Sequence, residues 1–120
     1  MKSKSFIVDW HIFPFQTIVC LGMNREAVLK KLKQIGYEPD DEELEQIKIP
    51  GTGRSLRLKG GQTILWTKLY PRAGSGVVAH EVFHVVDFLT EHLGITYSNN
   101  SDEIYAYMIE YFTNQITKNL

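Results

Sequence analysis

Gln62-Thr63-Ile64-Leu65-Trp66-Thr67-Lys68-Leu69-Tyr70, the turn-forming Pro71-Arg72-Ala73-Gly74-Ser75-Gly76, and the apolar-rich run from Val77 to Leu93 that contains His80-Glu81-Val82-Phe83-His84 form the stretch that decides the fold. The first piece is dense in β-branched and aromatic residues and predicts a strand. The last carries apolar residues at helical spacing and is stopped by Gly94, which predicts a long helix. Upstream, Arg54 to Lys59 and Gln62 to Tyr70 flank Gly60-Gly61, the pattern of a β-hairpin, entered through the turn Pro50-Gly51-Thr52-Gly53. No Gly-Lys-Ser/Thr follows the glycine pair, so it is not a phosphate loop. Further upstream, Asn24 caps a helix whose stripe is Ala27, Val28, Leu29, Leu32 and Ile35 and whose stop is Gly36. The acidic run Asp40 to Glu45 suits the first turn of a short helix after Pro39. Residues 6 to 21 favour one strand, including Ile12 and Phe13, broken near Pro14. Downstream, a second helix starts near Asn100 or Ser101 and runs to about Ile116. The whole predicts a single α+β domain over residues 1–120: a small, mainly antiparallel sheet packed against the histidine-bearing helix, with a second, C-terminal helix after it.

Composition narrows the function classes. Thirteen Lys+Arg against fourteen Asp+Glu give a net charge of -1 over 120 residues, and the cations are scattered, so no nucleic-acid partner is expected. Asp9 and His11 interrupt the apolar run behind Met1-Lys2-Ser3-Lys4, against a signal peptide, and no apolar stretch reaches membrane-spanning length. A lone cysteine, Cys20, rules out an internal disulfide or a four-thiolate zinc site and suits a reducing, cytoplasmic compartment.

His80 and His84, four residues apart on a helix, project from one face and can grip one metal ion through their imidazoles, with Glu81 about 100° around beside the open position. A catalytic zinc takes a third protein ligand. One extension of the motif would place Gly and a third His at positions 87 and 90, which here are Asp87 and Thr90. Asp87 lies about a turn past the ion and suits orienting a histidine better than ligation. Glu103, nineteen residues after His84 on the next helix, is the remaining donor, with Asp102 beside it as a rival. Asn100 to Glu103 also has the form of a capping box, which would occupy Glu103 with backbone donors. Tyr107, four after Glu103, is placed either to donate to a developing oxyanion or to pack in the core. His92 suits the dipole of its helix end, and Trp10 and His11 are read as packing and surface.

His80-Glu81-Val82-Phe83-His84 followed by Glu103-Ile104-Tyr105-Ala106-Tyr107 resembles the gluzincin branch of zinc metallopeptidases, over roughly Gln62 to Ile116. It is similar to the minimal zincin core of small bacteriophage or prophage HExxH proteins. The resemblance implies that His80, His84 and Glu103 hold zinc and that Glu81 is the general base. Glu103 is not followed by the Asn-Glu-Ala type of sequence found in the larger gluzincins. The function expected is hydrolysis of a peptide bond in a protein or peptide substrate by zinc-activated water, Glu81 taking the proton and returning it to the leaving amine. The strand Gln62 to Tyr70 is the expected sheet edge for pairing with an extended substrate. The alternative is a zinc-binding regulatory or interaction protein with the same fold and no turnover, against which the intact Glu81 argues.

Overall fold

The computed structural model describes residues 2–11, 14–48, 51–72 and 74–120; Ile12 and Phe13 of the expected first strand, Pro50 of the turn before the hairpin and Ala73 of the turn before the motif helix lie outside them. Strands β1 (Lys4–Asp9), β2 (Gln16–Leu21), β3 (Gly53–Arg57) and β4 (Thr63–Thr67) combine with helices α1 (Arg25–Gln34), α2 (Asp41–Gln46), α3 (Gly76–His92) and α4 (Asp102–Asn119) in an α+β architecture. The sheet runs β1-β2-β4-β3; its outer pairs are antiparallel and its central pair, β2 with β4, is parallel. The apolar N-terminal region is therefore two strands doubling back on each other, with His11 at φ 56° in the turn, rather than one broken strand.

Helices α1 and α2 begin where a side chain satisfies their first N–H groups. Asn24 accepts from the Ala27 N–H at 2.9 Å, and Gly36, at φ 85°, supplies the left-handed conformation that ends α1. Asp40 and Glu43 cap α2 reciprocally, Asp40 accepting from the Glu43 N–H at 2.8 Å and Glu43 from the Asp40 N–H at 3.0 Å.

Strand alternation divides the core into two layers. Val19, Leu21 and Leu65 face α3 and α4, meeting Val82, Val85, Val86 and Leu89 of the first and Phe112 and Ile116 of the second. Ile18, Cys20, Ile64 and Trp66 face the other way, toward Val28 and Leu32 of α1. Trp10 belongs to the first layer and its indole N–H donates to Thr17 Oγ1 at 2.9 Å, as the packing role expected of it requires. The strand expected to lie at the sheet edge, β4, is internal: every residue from Thr63 to Thr67 is buried. An unbroken buried run marks a strand covered on both faces. The edge next to the motif helix is β3.

Candidate metal centre

Helix α3 buries Val78, Val82, Val85, Val86 and Leu89 against the sheet. At about 100° per residue, His80 and His84 then fall on the opposite, outer side. Their Nε2 atoms are 3.1 Å apart. Two imidazole nitrogens bound to one tetrahedral zinc at about 2.0–2.1 Å each would be roughly 3.3 Å apart, so the spacing of this pair fits a shared ion.

Glu81 points sideways from the histidines, toward β3, and is only 6% exposed. The Ser55 hydroxyl on β3 lies 2.7 Å from Glu81 Oε1 and 3.0 Å from the main-chain oxygen of the same residue. The other carboxylate oxygen faces Gly53: a Cβ built there would stand 3.3 Å from Glu81 Oε2 and 2.9 Å from Val77 Cγ1. Gly53 and Ser55, two apart on one strand face, thus form a cradle for the carboxylate. An open cleft of about 420 Å³ runs beside it, lined by Gly51, Thr52, Gly53, Gly76, His80 and Glu81 among others.

The free edge of β3 continues from that cleft. Lys68 N–H donates to the Thr52 carbonyl at 3.0 Å and Leu58 N–H to the Gln62 carbonyl at 2.8 Å. Antiparallel ladders alternate, so Arg54 and Leu56 bond to β4, whereas Gly53, Ser55 and Arg57 turn their N–H and C=O groups outward.

The remaining site residues fall as follows. Glu103 is exposed on the first turn of α4 and makes no hydrogen bond or ion pair among the described residues. The capping box considered for it does not form, because the cap residue is Ser101 and no side chain caps the helix. Among the described residues no three His, Cys, Asp or Glu side chains gather at one metal position, so Glu103 and Asp102 both stand apart from the histidine pair. Tyr107 is 66% exposed and stands, with Glu103, on the side of α4 away from the buried Tyr105 and Phe112. It is not a core residue. Asp87 Oδ1 lies 3.4 Å from Tyr105 Oη, which in turn is 2.8 Å from Thr90 Oγ1, so Asp87 belongs to the joint between α3 and α4. His92 packs edge-on to Phe15 at 4.9 Å between centroids.

Ser55 and Gly53 were not visible as site residues in the sequence, since nothing in the chain ties residue 55 to residue 81. A glycine inside a strand often marks a close approach, and Gly53 was the available hint. No known family's profile, no curated protein and no solved structure matches the chain.

Proposed function

We propose that this chain is a zinc-dependent peptidase that hydrolyses a peptide bond of a protein or peptide substrate, with His80, His84 and Glu103 as metal ligands and Glu81 as general base. The observation that carries the reading is the 3.1 Å approach of the two imidazole Nε2 atoms, the separation a single tetrahedral ion asks for. Bound there, zinc supplies an acidified water and a Lewis acid for the substrate carbonyl. Glu103, without a hydrogen bond or ion pair among the described residues and nineteen residues past His84, is the donor that α4 offers for the third position. It must move toward the pair for the set to close.

The chain's own groups supply the proton chemistry. Glu81 Oε1 is held by Ser55, which leaves Oε2 to take a proton at the cleft and give it to the departing amine. The outward N–H and C=O groups of Gly53 and Ser55 suit the backbone of an extended substrate, so β3 takes the pairing role first expected of β4. Tyr107, solvent-facing on the outer side of α4, is given no step in this chemistry. Among the described residues no helix is long and apolar enough to cross a membrane. Cys20, a lone buried thiol pushed up to about 12 by burial, fits a reducing, cytoplasmic setting.

The test is zinc stoichiometry with turnover. Purified protein is expected to hold one zinc, His84→Ala to lose it, and Glu81→Gln to keep it while peptide hydrolysis disappears. Unchanged metal content in His84→Ala would overturn the reading. A non-catalytic zinc-binding interaction protein is the second reading, favoured by the exposure of Phe83 and Ile104 at 44% and 41%. It gains if the zinc-loaded wild type cleaves no peptide.

A further inference from the structure

We propose that β3 selects its partner peptide by sequence, through an acidic residue opposite Arg54 and a large apolar residue opposite Arg57. The inference rests on the peptidase reading for the position of the reacting bond, beside Gly53 and Glu81, and on the strand itself for the rest.

A segment paired along the open edge advances about 3.3 Å per residue. Its residue opposite Gly53 lies at the cleft, the next opposite Arg54, and the one opposite Arg57 three further on, about 13 Å from the start. Side chains of directly opposed residues share a face of the sheet. Arg54, half-buried, makes no ion pair or hydrogen bond among the described residues and points to the face opposite α3. By contrast, Lys59 pairs with Asp40 at 2.8 Å and Glu42 at 2.9 Å, and Arg57 with Glu91 at 3.0 Å. Of the two β3 cations, Arg54 is therefore the one without a partner among the described residues, within reach of one substrate position.

Arg57 offers something different. Its guanidinium lies 4.9 Å from the Phe88 ring centroid, and its charge is met by Glu91. Beside it opens a hollow of about 150 Å³ with Phe88, Leu89 and Phe15 in its walls and His92 at its side. A neutralised guanidinium over an aromatic ring presents a flat, weakly hydrated wall, which suits a large apolar or aromatic side chain. The partner chemistry is thus an extended segment with Asp or Glu next to the reacting position and a large apolar residue three positions beyond. The competing explanation, that the edge charges only discourage sheet-to-sheet association, predicts no such selection.

The test uses fluorescein-labelled peptides that vary Asp, Lys or Ala at one position and Phe or Ala three positions away, in both chain directions. Binding is read by anisotropy on zinc-loaded Glu81→Gln protein, and cleavage on the wild type. Asp-bearing peptides are expected to bind best, and Arg54→Glu to cost them roughly tenfold while favouring the Lys peptides. Phe88→Ala is expected to erase the Phe-over-Ala preference and leave the charge preference intact. Reversal by Lys peptides shows that the Arg54 variant is folded. Binding or cleavage indifferent to Arg54 charge reversal overturns the proposal. Selective binding without cleavage by the wild type would leave the recognition standing and sink the peptidase reading alone.

Discussion

A carboxylate as enclosed as that of Glu81 is tolerable because Ser55 donates to it, and the same contact aims it. Ser55→Ala leaves the buried Oε1 without its 2.7 Å donor, and a buried acceptor stripped of its partner costs about 1–3 kcal/mol. A lower Tm is expected and, on the peptidase reading, a kcat that falls more than KM rises, because Ser55 no longer aims Glu81 while the β3 edge stays intact; an unchanged kcat would remove Ser55 from the site. Gly53→Ala attacks the cradle from the other side, forcing a Cβ to 2.9 Å from Val77 Cγ1, a steric cost of about 1–3 kcal/mol that a Tm measurement would reveal. At this scale the sequence was half informative. The spacing of His80 and His84 announced their convergence because a helix fixes which residues share a side. The Ser55–Glu81 contact depends on how β3 crosses α3, which no local spacing encodes.

Elements whose ends carry their own chemistry were legible: Asn24 and Gly36 bound α1, the acidic run after Pro39 forms α2, and Gly60-Gly61 joins β3 to β4. Sheet order was not. The strand expected at the edge, Gln62 to Tyr70, lacks the alternation of a half-solvated strand, and the uniform burial of Thr63 to Thr67 suits the centre. The clasp holding α2 also yields a pH prediction. Glu43 accepts from Tyr37 Oη at 2.5 Å, from the Lys59 N–H at 2.9 Å and from the Asp40 N–H at 3.0 Å. Burial alone would raise its pKa, but these donors outweigh burial and lower it. Asp40 is lowered as well, chiefly by the Lys59 ammonium bonded to it. A carboxyl depressed in the folded state adds stability above its unfolded pKa and loses it as pH falls through the folded one. Thermal unfolding should therefore show Tm falling on acidification below about pH 4, with a shallower fall in Glu43→Gln. Equal slopes in the two proteins would exclude Glu43 as a contributor.

For the whole molecule, a radius of gyration of 13.8 Å is that of a packed domain of this length, about 13.6 Å, so the site is an open cleft at the surface rather than a deep chamber. Its metal would have to join two helices that already touch. Tyr105, next but one to Glu103, anchors the start of α4 on Thr90, and Phe112 and Ile116 bury the rest of that helix against α3 and the sheet. Fold and site are therefore separable: neither core layer includes His80, His84 or Glu103, so a zinc ion held there would add only what its binding contributes. That contribution follows mass action, about 2.7 kcal/mol when free zinc exceeds its Kd a hundredfold. For a chain of this size it corresponds to a Tm rise of about 10 °C. Scanning calorimetry with zinc and with a chelator should show that difference in the wild type and none in His84→Ala. Glu103→Ala should retain a small part of it, since two imidazoles alone bind zinc weakly, whereas Asp102→Ala should keep it whole. If the Asp102 variant loses the shift and the Glu103 variant does not, the third ligand is Asp102. If the wild type melts identically with zinc and with chelator, the approach of His80 to His84 is a hydrogen bond between side chains and the peptidase reading falls with it.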